Sequence, residues 1–145
     1  MEQSLDEISI ADACRDGVIT SEELLAESGE SFGDLVQACG EMAARLVDAY
    51  GGTRLYVPCQ LDPGGRLAQE LGEQSARTLI SLCEGEDVVV PRLMSLRRMI
   101  RNKKIVALHA NGASPPKLAL HFNLTERQIQ SILRRHRAGA ERNTV

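Results

Sequence analysis

The chain has 145 residues, enough for one domain or for two small ones. With 43% apolar and 26% charged residues it has the composition of a globular protein, while the lack of Trp and the presence of only two Tyr and two Phe argue against an aromatic platform for stacking single strands. The acidic start, Met1 to Glu7, argues against a secretory signal, and no stretch is long enough to cross a bilayer, so a cytoplasmic protein with no membrane partner is expected.

The net charge of −3 conceals a division of sign. Residues 1–91 hold 5 Lys+Arg against 18 Asp+Glu, a net −13, and residues 92–145 hold 12 against 2, a net +10, which together restore −3. Such a split points to a C-terminal half that faces a polyanion. We therefore expect two regions, an acidic one over 1–91 and a basic one over 92–145.

Along the chain, Met1–Gly17 has weak periodicity and is expected to be partly disordered. Thr20-Ser21-Glu22-Glu23 reads as a capping box that opens a short helix to about Glu27, with Gly29 behind it. Ser31 can cap the next helix, Phe32–Tyr50, whose apolar stripe includes Phe32, Leu35, Val36, Met42, Leu46 and Tyr50, and Gly51-Gly52 ends it. Thr53–Val57 reads as a short strand stopped by Pro58. After the turn Asp62–Gly65 come a second helix, Arg66–Cys83, then Gly85, and a second strand, Asp87–Val90, stopped by Pro91. The two helix–glycine–strand–proline units look alike. Two lone short strands are marginal in water, so they need each other or the strands of a second chain, and a homodimer is expected on that ground. Phe32, Leu35, Val36, Met42, Leu46, Tyr50, Leu55 and Val57 are its candidate dimerisation residues. Leu93–Ala110 is a basic helix ended by Asn111-Gly112, and Ala138–Val145 reads as a frayed tail. The fold class is thus mainly α, with one or two short strands and a C-terminal helix-turn-helix.

That motif is Ser114–Arg137. Ser114 can cap a helix whose first turn suits Pro115. Leu118 and Phe122 point inward, and Ala119 lies where two helices cross. Asn123 sits at the corner, where a residue tolerating positive φ is wanted. Thr125 and Gln128 form a second capping box, with Leu124 and Ile129 as its hydrophobic staple. Ile129, Ile132 and Leu133 give the second helix a buried face, and opposite them lie long hydrogen-bonding side chains with almost no carboxylate. In the major groove Arg pairs with guanine and Gln with adenine, so Arg127, Gln128, Gln130, Ser131 and Arg134 are the candidate base readers of double-stranded DNA. Lys117, Thr125, Arg135 and Arg137 are candidate phosphate contacts, extended on the preceding helix by Arg97, Arg98, Arg101, Lys103 and Lys104.

No catalytic pairing stands out, and no cofactor or metal site is expected. Cys14, Cys39, Cys59 and Cys83 are too far apart for a zinc knuckle or redox dithiol and are expected as free, mostly buried thiols. His136 falls on the inward side of its helix and is expected in a core or contact; His109 and His121 have no ligand-spaced neighbours. Glu84, Glu86 and Asp87 read as a solvated turn rather than a metal site.

The chain resembles the Mor/C family, the middle and late transcription activators of Mu-like phages. The resemblance rests on Gly51-Gly52-Thr-Arg-Leu-Tyr-Val-Pro58, on Ile100–Ile105 leading to Asn111-Gly112, and on Leu118-Ala119 with Phe122–Thr125, Ile129 and Ile132-Leu133, across roughly Phe32–Arg137. It implies an N-terminal dimerisation domain, a recognition helix at Thr125–Arg137, a promoter with repeated half-sites and recruitment of RNA polymerase. The sequence departs from that plan in a second helix and strand, Arg66–Val90, between the glycine–strand motif and the basic helix. A symmetric dimer would set its recognition helices about 34 Å apart, or a multiple of it. Two other readings stay open: a phage DNA-packaging or assembly adaptor with a helix-turn-helix, and a protein-interaction module whose basic face binds an acidic partner.

Overall fold

The computed structural model describes residues 5–142. It is mainly helical. A 3-10 turn at Leu5–Glu7 precedes α1 (Ile10–Arg15), α2 (Ser21–Ala38), α3 (Gly40–Tyr50), β1 (Arg54–Tyr56), α4 (Arg66–Leu71), α5 (Glu73–Cys83), β2 (Asp87–Val89), α6 (Met94–Ala110), α7 (Pro115–Phe122) and α8 (Glu126–Arg142). The chain divides into two compact units. One is Ser9–Leu96; the other begins at Arg97 and takes in the stretch that ends at Ile8.

In the first unit, order begins earlier than the sequence suggests. Ile10 and Ala13 of α1 are buried, because α3 supplies what a six-residue helix lacks. The Asp48 carboxylate accepts from the backbone N–H of Ile10 (2.8 Å) and Ala11 (3.0 Å) and from the Ser9 hydroxyl (2.8 Å). An anion on the unpaired amides at a helix start is favourable, and here it ties α1 to α3. The Thr20–Glu23 capping box forms as the sequence indicates, with both reciprocal bonds present.

Two helices expected to be continuous are broken. The stretch Phe32–Tyr50 changes direction at Cys39, which is extended at φ −159°, and Arg66–Cys83 breaks at Gly72, which is left-handed at φ +85°. Apolar periodicity is blind to both breaks because the pieces on either side bury into one core. Met42, Leu46 and Leu71 are fully buried, and so is Leu79. Each such side chain contributes about 1.5–3 kcal/mol of burial. Arg45 of α3 reinforces the second break by donating to the Leu71 carbonyl at 2.9 Å, and so satisfies an end of α4.

β1 and β2 pair with each other, antiparallel, in the register Arg54↔Val89, Leu55↔Val88, Tyr56↔Asp87. Gly51 lets the chain enter this two-stranded sheet, since a Cβ there would lie 2.6 Å from the Val47 carbonyl oxygen. Helix α6 starts at Met94 rather than Leu93, because Leu93 adopts the left-handed conformation at φ +55°.

The second unit has its own core: Ile105 of α6, Leu118, Ala119 and Phe122 of α7, and Ile129, Ile132 and Leu133 of α8. The end of α8 corrects the expectation of a frayed tail, since helix continues to Arg142; residues 143–145 and 1–4 lie outside the described part.

The four cysteines are free thiols, but they are less buried than expected: Cys83 is buried, Cys14 and Cys39 are half-buried and Cys59 is exposed. Burial, then the charge of Glu86, pushes the Cys83 thiol up; burial, then Asp48, does the same to Cys14. A raised pKa leaves less thiolate, the reactive form, at neutral pH. Iodoacetamide should therefore label Cys59 well before Cys83 or Cys14, read by peptide mass spectrometry. Equal rates at Cys59 and Cys83 would contradict this burial.

Candidate nucleic-acid interface

The candidate site is the outer face of the α7–α8 pair. Pro115 occupies the first turn of α7, where its missing N–H costs nothing, but the Ser114 hydroxyl makes no capping bond, unlike the sequence expectation. The helix ends at Asn123 in the left-handed conformation (φ +56°, ψ +47°), with its N–H donating to the Ala119 carbonyl. Leu124 N–H donates to the same oxygen at 2.9 Å, which closes the corner.

Thr125 then caps α8. Its Oγ1 accepts from Gln128 N–H at 3.1 Å, while its own N–H donates to Gln128 Oε1 at 2.9 Å. Both halves of the capping box are thus present. Glu126 sits in the first turn, where a carboxylate suits the positive end of the helix. Leu124 packs against the core beneath the turn, and Ile129 is 0% exposed.

Burial of Ile129, Ile132 and Leu133 sets the rotational phase of α8. At 3.6 residues per turn, residues two before or two and five after Ile129 must point away. Arg127 and Arg134 are accordingly exposed and Ser131 partly so, with Gln130 exposed at the flank. Gln128 is exposed as well, but its carboxamide oxygen is committed to the cap. Arg135 and Arg137 of α8, Lys117 of α7 and Thr125 are exposed around this face. The Thr125 hydroxyl, which accepts in the cap, can still donate its hydrogen outward.

His136 is exposed, contrary to expectation. Helix α7 has eight residues and α8 has 17, so among the described side chains of α8 the buried ones stop at Leu133, and His136 has no α7 to pack against. His109 Nδ1 lies 3.1 Å from the Ala113 carbonyl at the end of α6, and His121 stacks edge-on against Phe122.

The cations of α6 divide. Arg98 and Lys103 are exposed, and Arg101 and Lys104 are partly exposed. Arg97 is not available to phosphate as expected. It is 4% exposed and donates to the Ile8 carbonyl within its own unit. Arg101 donates to Asn102 Oδ1 from Nε (3.2 Å) and a terminal nitrogen (3.0 Å), a partner the sequence reading missed because adjacent residues on a helix carry no spacing signal. Burial, then the charge of Arg98, pulls the Arg101 guanidinium down from its ordinary value, although an arginine stays charged.

The residues read as a dimerisation surface lie elsewhere, inside one chain. Phe32, Leu35, Val36, Met42, Leu46, Tyr50 and Val57 are buried in the Ser9–Leu96 unit, and Leu55 is half-buried in β1. Among the described residues no three His, Cys, Asp or Glu side chains converge as metal ligands, and no helix is long and apolar enough to cross a membrane.

Together the two units define a mainly helical class of protein: an acidic helical body with one small sheet, and a basic unit ending in a tight helical corner. The chain belongs to the Mor transcription activator family, a family of regulators, whose match covers residues 61–144, more than half of its length. No curated protein and no solved structure matches it. The matched span takes in Arg66–Val90, which the sequence reading set apart as a departure from the family plan, and it begins after Gly51–Pro58, on which the resemblance leans. It is therefore the second strand unit, not the first, that stands inside the family match.

The corner makes one prediction. A left-handed backbone costs an ordinary L-residue roughly 1–2 kcal/mol, and a β-branched one is especially disfavoured there. Asn123→Val should lower stability by about that amount in urea unfolding, while Asn123→Gly should hold or raise it. Equal stability of the two variants would show that Asn123 does not need positive φ.

Proposed function

We propose that the chain is a sequence-specific, double-stranded DNA-binding activator that uses α7–α8 as a helix-turn-helix, with α8 in the major groove. The observation that carries this is the phase of α8: with Ile129, Ile132 and Leu133 turned in, its outward face is arginine, glutamine and serine. In this reading Arg127, Gln130, Ser131 and Arg134 read base edges, with Gln128 at the margin; their exposure on one side of α8 supports it. Lys117, Thr125, Arg135 and Arg137, with Arg101, Lys103 and Lys104 of α6, are the phosphate set. Membership of an activator family supports activation as the output; a phage or prophage setting, and the acidic unit as the surface offered to RNA polymerase, complete the proposal. A role confined to protein contacts accounts for the caps and the core, but not for a helix face so nearly free of acid.

The homodimer expected from the sequence rested on two lone strands in need of partners. β1 and β2 are each other's partners within one chain, so that ground no longer supports it.

The test is fluorescence anisotropy on duplex fragments selected from genomic DNA. Arg127→Ala and Arg134→Ala should each cost about 1–3 kcal/mol on the selected site and little on unrelated duplex. Lys117→Ala and Arg137→Ala should weaken both alike and flatten the salt dependence. Wild-type affinity in Arg127→Ala and Arg134→Ala on the selected site would reject the assignment.

A further inference from the structure

The acidic unit contains a repeat that the sequence only hints at. The stretch Gly33–Pro58 corresponds to Arg66–Pro91 at an offset of 33 places, which sets Gly52 against Gly85 and Pro58 against Pro91. Few residues are identical, but the backbone repeats from α3 to β1 and from α5 to β2, the breaks that precede them differing at Cys39 (φ −159°) and Gly72 (φ +85°). Helices α3 and α5 are both 11 residues long and are capped at equivalent places, Gly51 (φ −52°, ψ 130°) and Glu84 (φ −53°, ψ 132°). Cys39 N–H bonds to the Leu35 carbonyl and Gly72 N–H to Ala68, both at 2.9 Å. Gly52 and Gly85 have φ +85° and +76°. Ala43, Leu46 and Val57 are buried, and so are their counterparts Ala76, Leu79 and Val90.

The two copies also meet symmetrically. Leu55 pairs with Val88, its own counterpart, while Arg54 pairs with the counterpart of Tyr56, and Tyr56 with that of Arg54. The flanking bonds are reciprocal in the same sense: Gly52 N–H to Val90 carbonyl (2.7 Å) matches Gly85 N–H to Val57 (2.8 Å), and Val57 N–H to Glu86 (2.9 Å) matches Val90 N–H to Thr53 (2.9 Å). The same patch meeting itself, with residue i on j and j on i, is the signature of a two-fold contact between identical subunits. Two chains with one copy each would have to pair between chains to make it. Here both copies are in one chain, and the contact closes internally.

The remaining edges of this two-stranded sheet are poor templates for another strand. Each strand has three residues and runs within two residues of a proline, Pro58 or Pro91. Tyr56 and Val89, which are counterparts, are exposed (59% and 64%) beside the charged Arg54 and Asp87. The repeat does not extend to the helical corner: the second copy leads into α6–α8, whereas the first leads through Cys59–Gly65 into α4. The family match, residues 61–144, holds one strand unit and one corner.

We infer that this chain is a fused pseudo-dimer with a single reading head. It works as one chain, with its two-fold contact satisfied in cis, and it binds one unrepeated half-site rather than an inverted repeat. The half-site part rests on the DNA-binding role of α8 proposed above; the internal pairing does not.

Sedimentation equilibrium of the full chain without DNA, at micromolar concentration, tests the pairing. A mass of 15.8 kDa is expected, and twice that mass overturns the inference. With a selected duplex, the expected complex is one chain on an asymmetric footprint. Two chains on an inverted repeat also overturn it. A 15.8 kDa chain that binds no duplex even at low salt refutes the DNA-binding role of α8 and the half-site with it, while the internal pairing stands.

Discussion

The burial of Ile129, Ile132 and Leu133 of α8 against Leu118, Ala119 and Phe122 of α7 and Ile105 of α6 is the constraint on which the functional reading depends. A helix can present only one face to solvent once three side chains on the other are fixed. Deeply packed aliphatics resist rotation, because turning α8 would expose them and bury guanidinium groups, each of which carries a large desolvation cost. The Asn123 corner and the Thr125–Gln128 box fix where α8 begins, and the apolar contacts fix its rotation. Arg127 and Arg134 are thus held outward by side chains buried on the opposite face of the helix.

The acidic unit is organised by a different constraint, the pairing of β1 with β2. Three-residue strands have little stability of their own, and each is held by the other and by the helix that leads into it. The Asp48 carboxylate at the start of α1 and the Arg45 guanidinium at the end of α4 show how α3 serves as the hub of this unit. Charge follows the same division of labour. Acidic side chains dominate where the chain packs on itself around that hub, and basic ones dominate in the part proposed to meet DNA.

Much of this was legible in the sequence, wherever one residue type answers one local need. Thr20 and Glu23, and Thr125 and Gln128, form the capping boxes their spacing announces. Asn123 is left-handed, and the apolar side of α8 is where 3.6-residue periodicity puts it. What could not be read depends on contacts distant in sequence. Residues near the N-terminus gain order from Asp48, nearly 40 positions away, and Arg97 is withdrawn from the surface by the carbonyl of Ile8. The breaks at Cys39 and Gly72 escape periodicity because both flanks face one core. The likeness of the two strand units was visible, but their self-complementary register is a property of pairing, which no single segment encodes.

The central claim, that the outward face of α8 meets the duplex, is tested most directly by amide chemical shifts of the labelled full chain as selected duplex is added at low salt. The account predicts that the largest changes fall on residues 125–135 of α8 and its cap, with smaller ones near Lys117 and on α6, and none in the paired strands. Unchanged α8 amides with shifts gathered on the acidic unit, or no shifts at all, would contradict it.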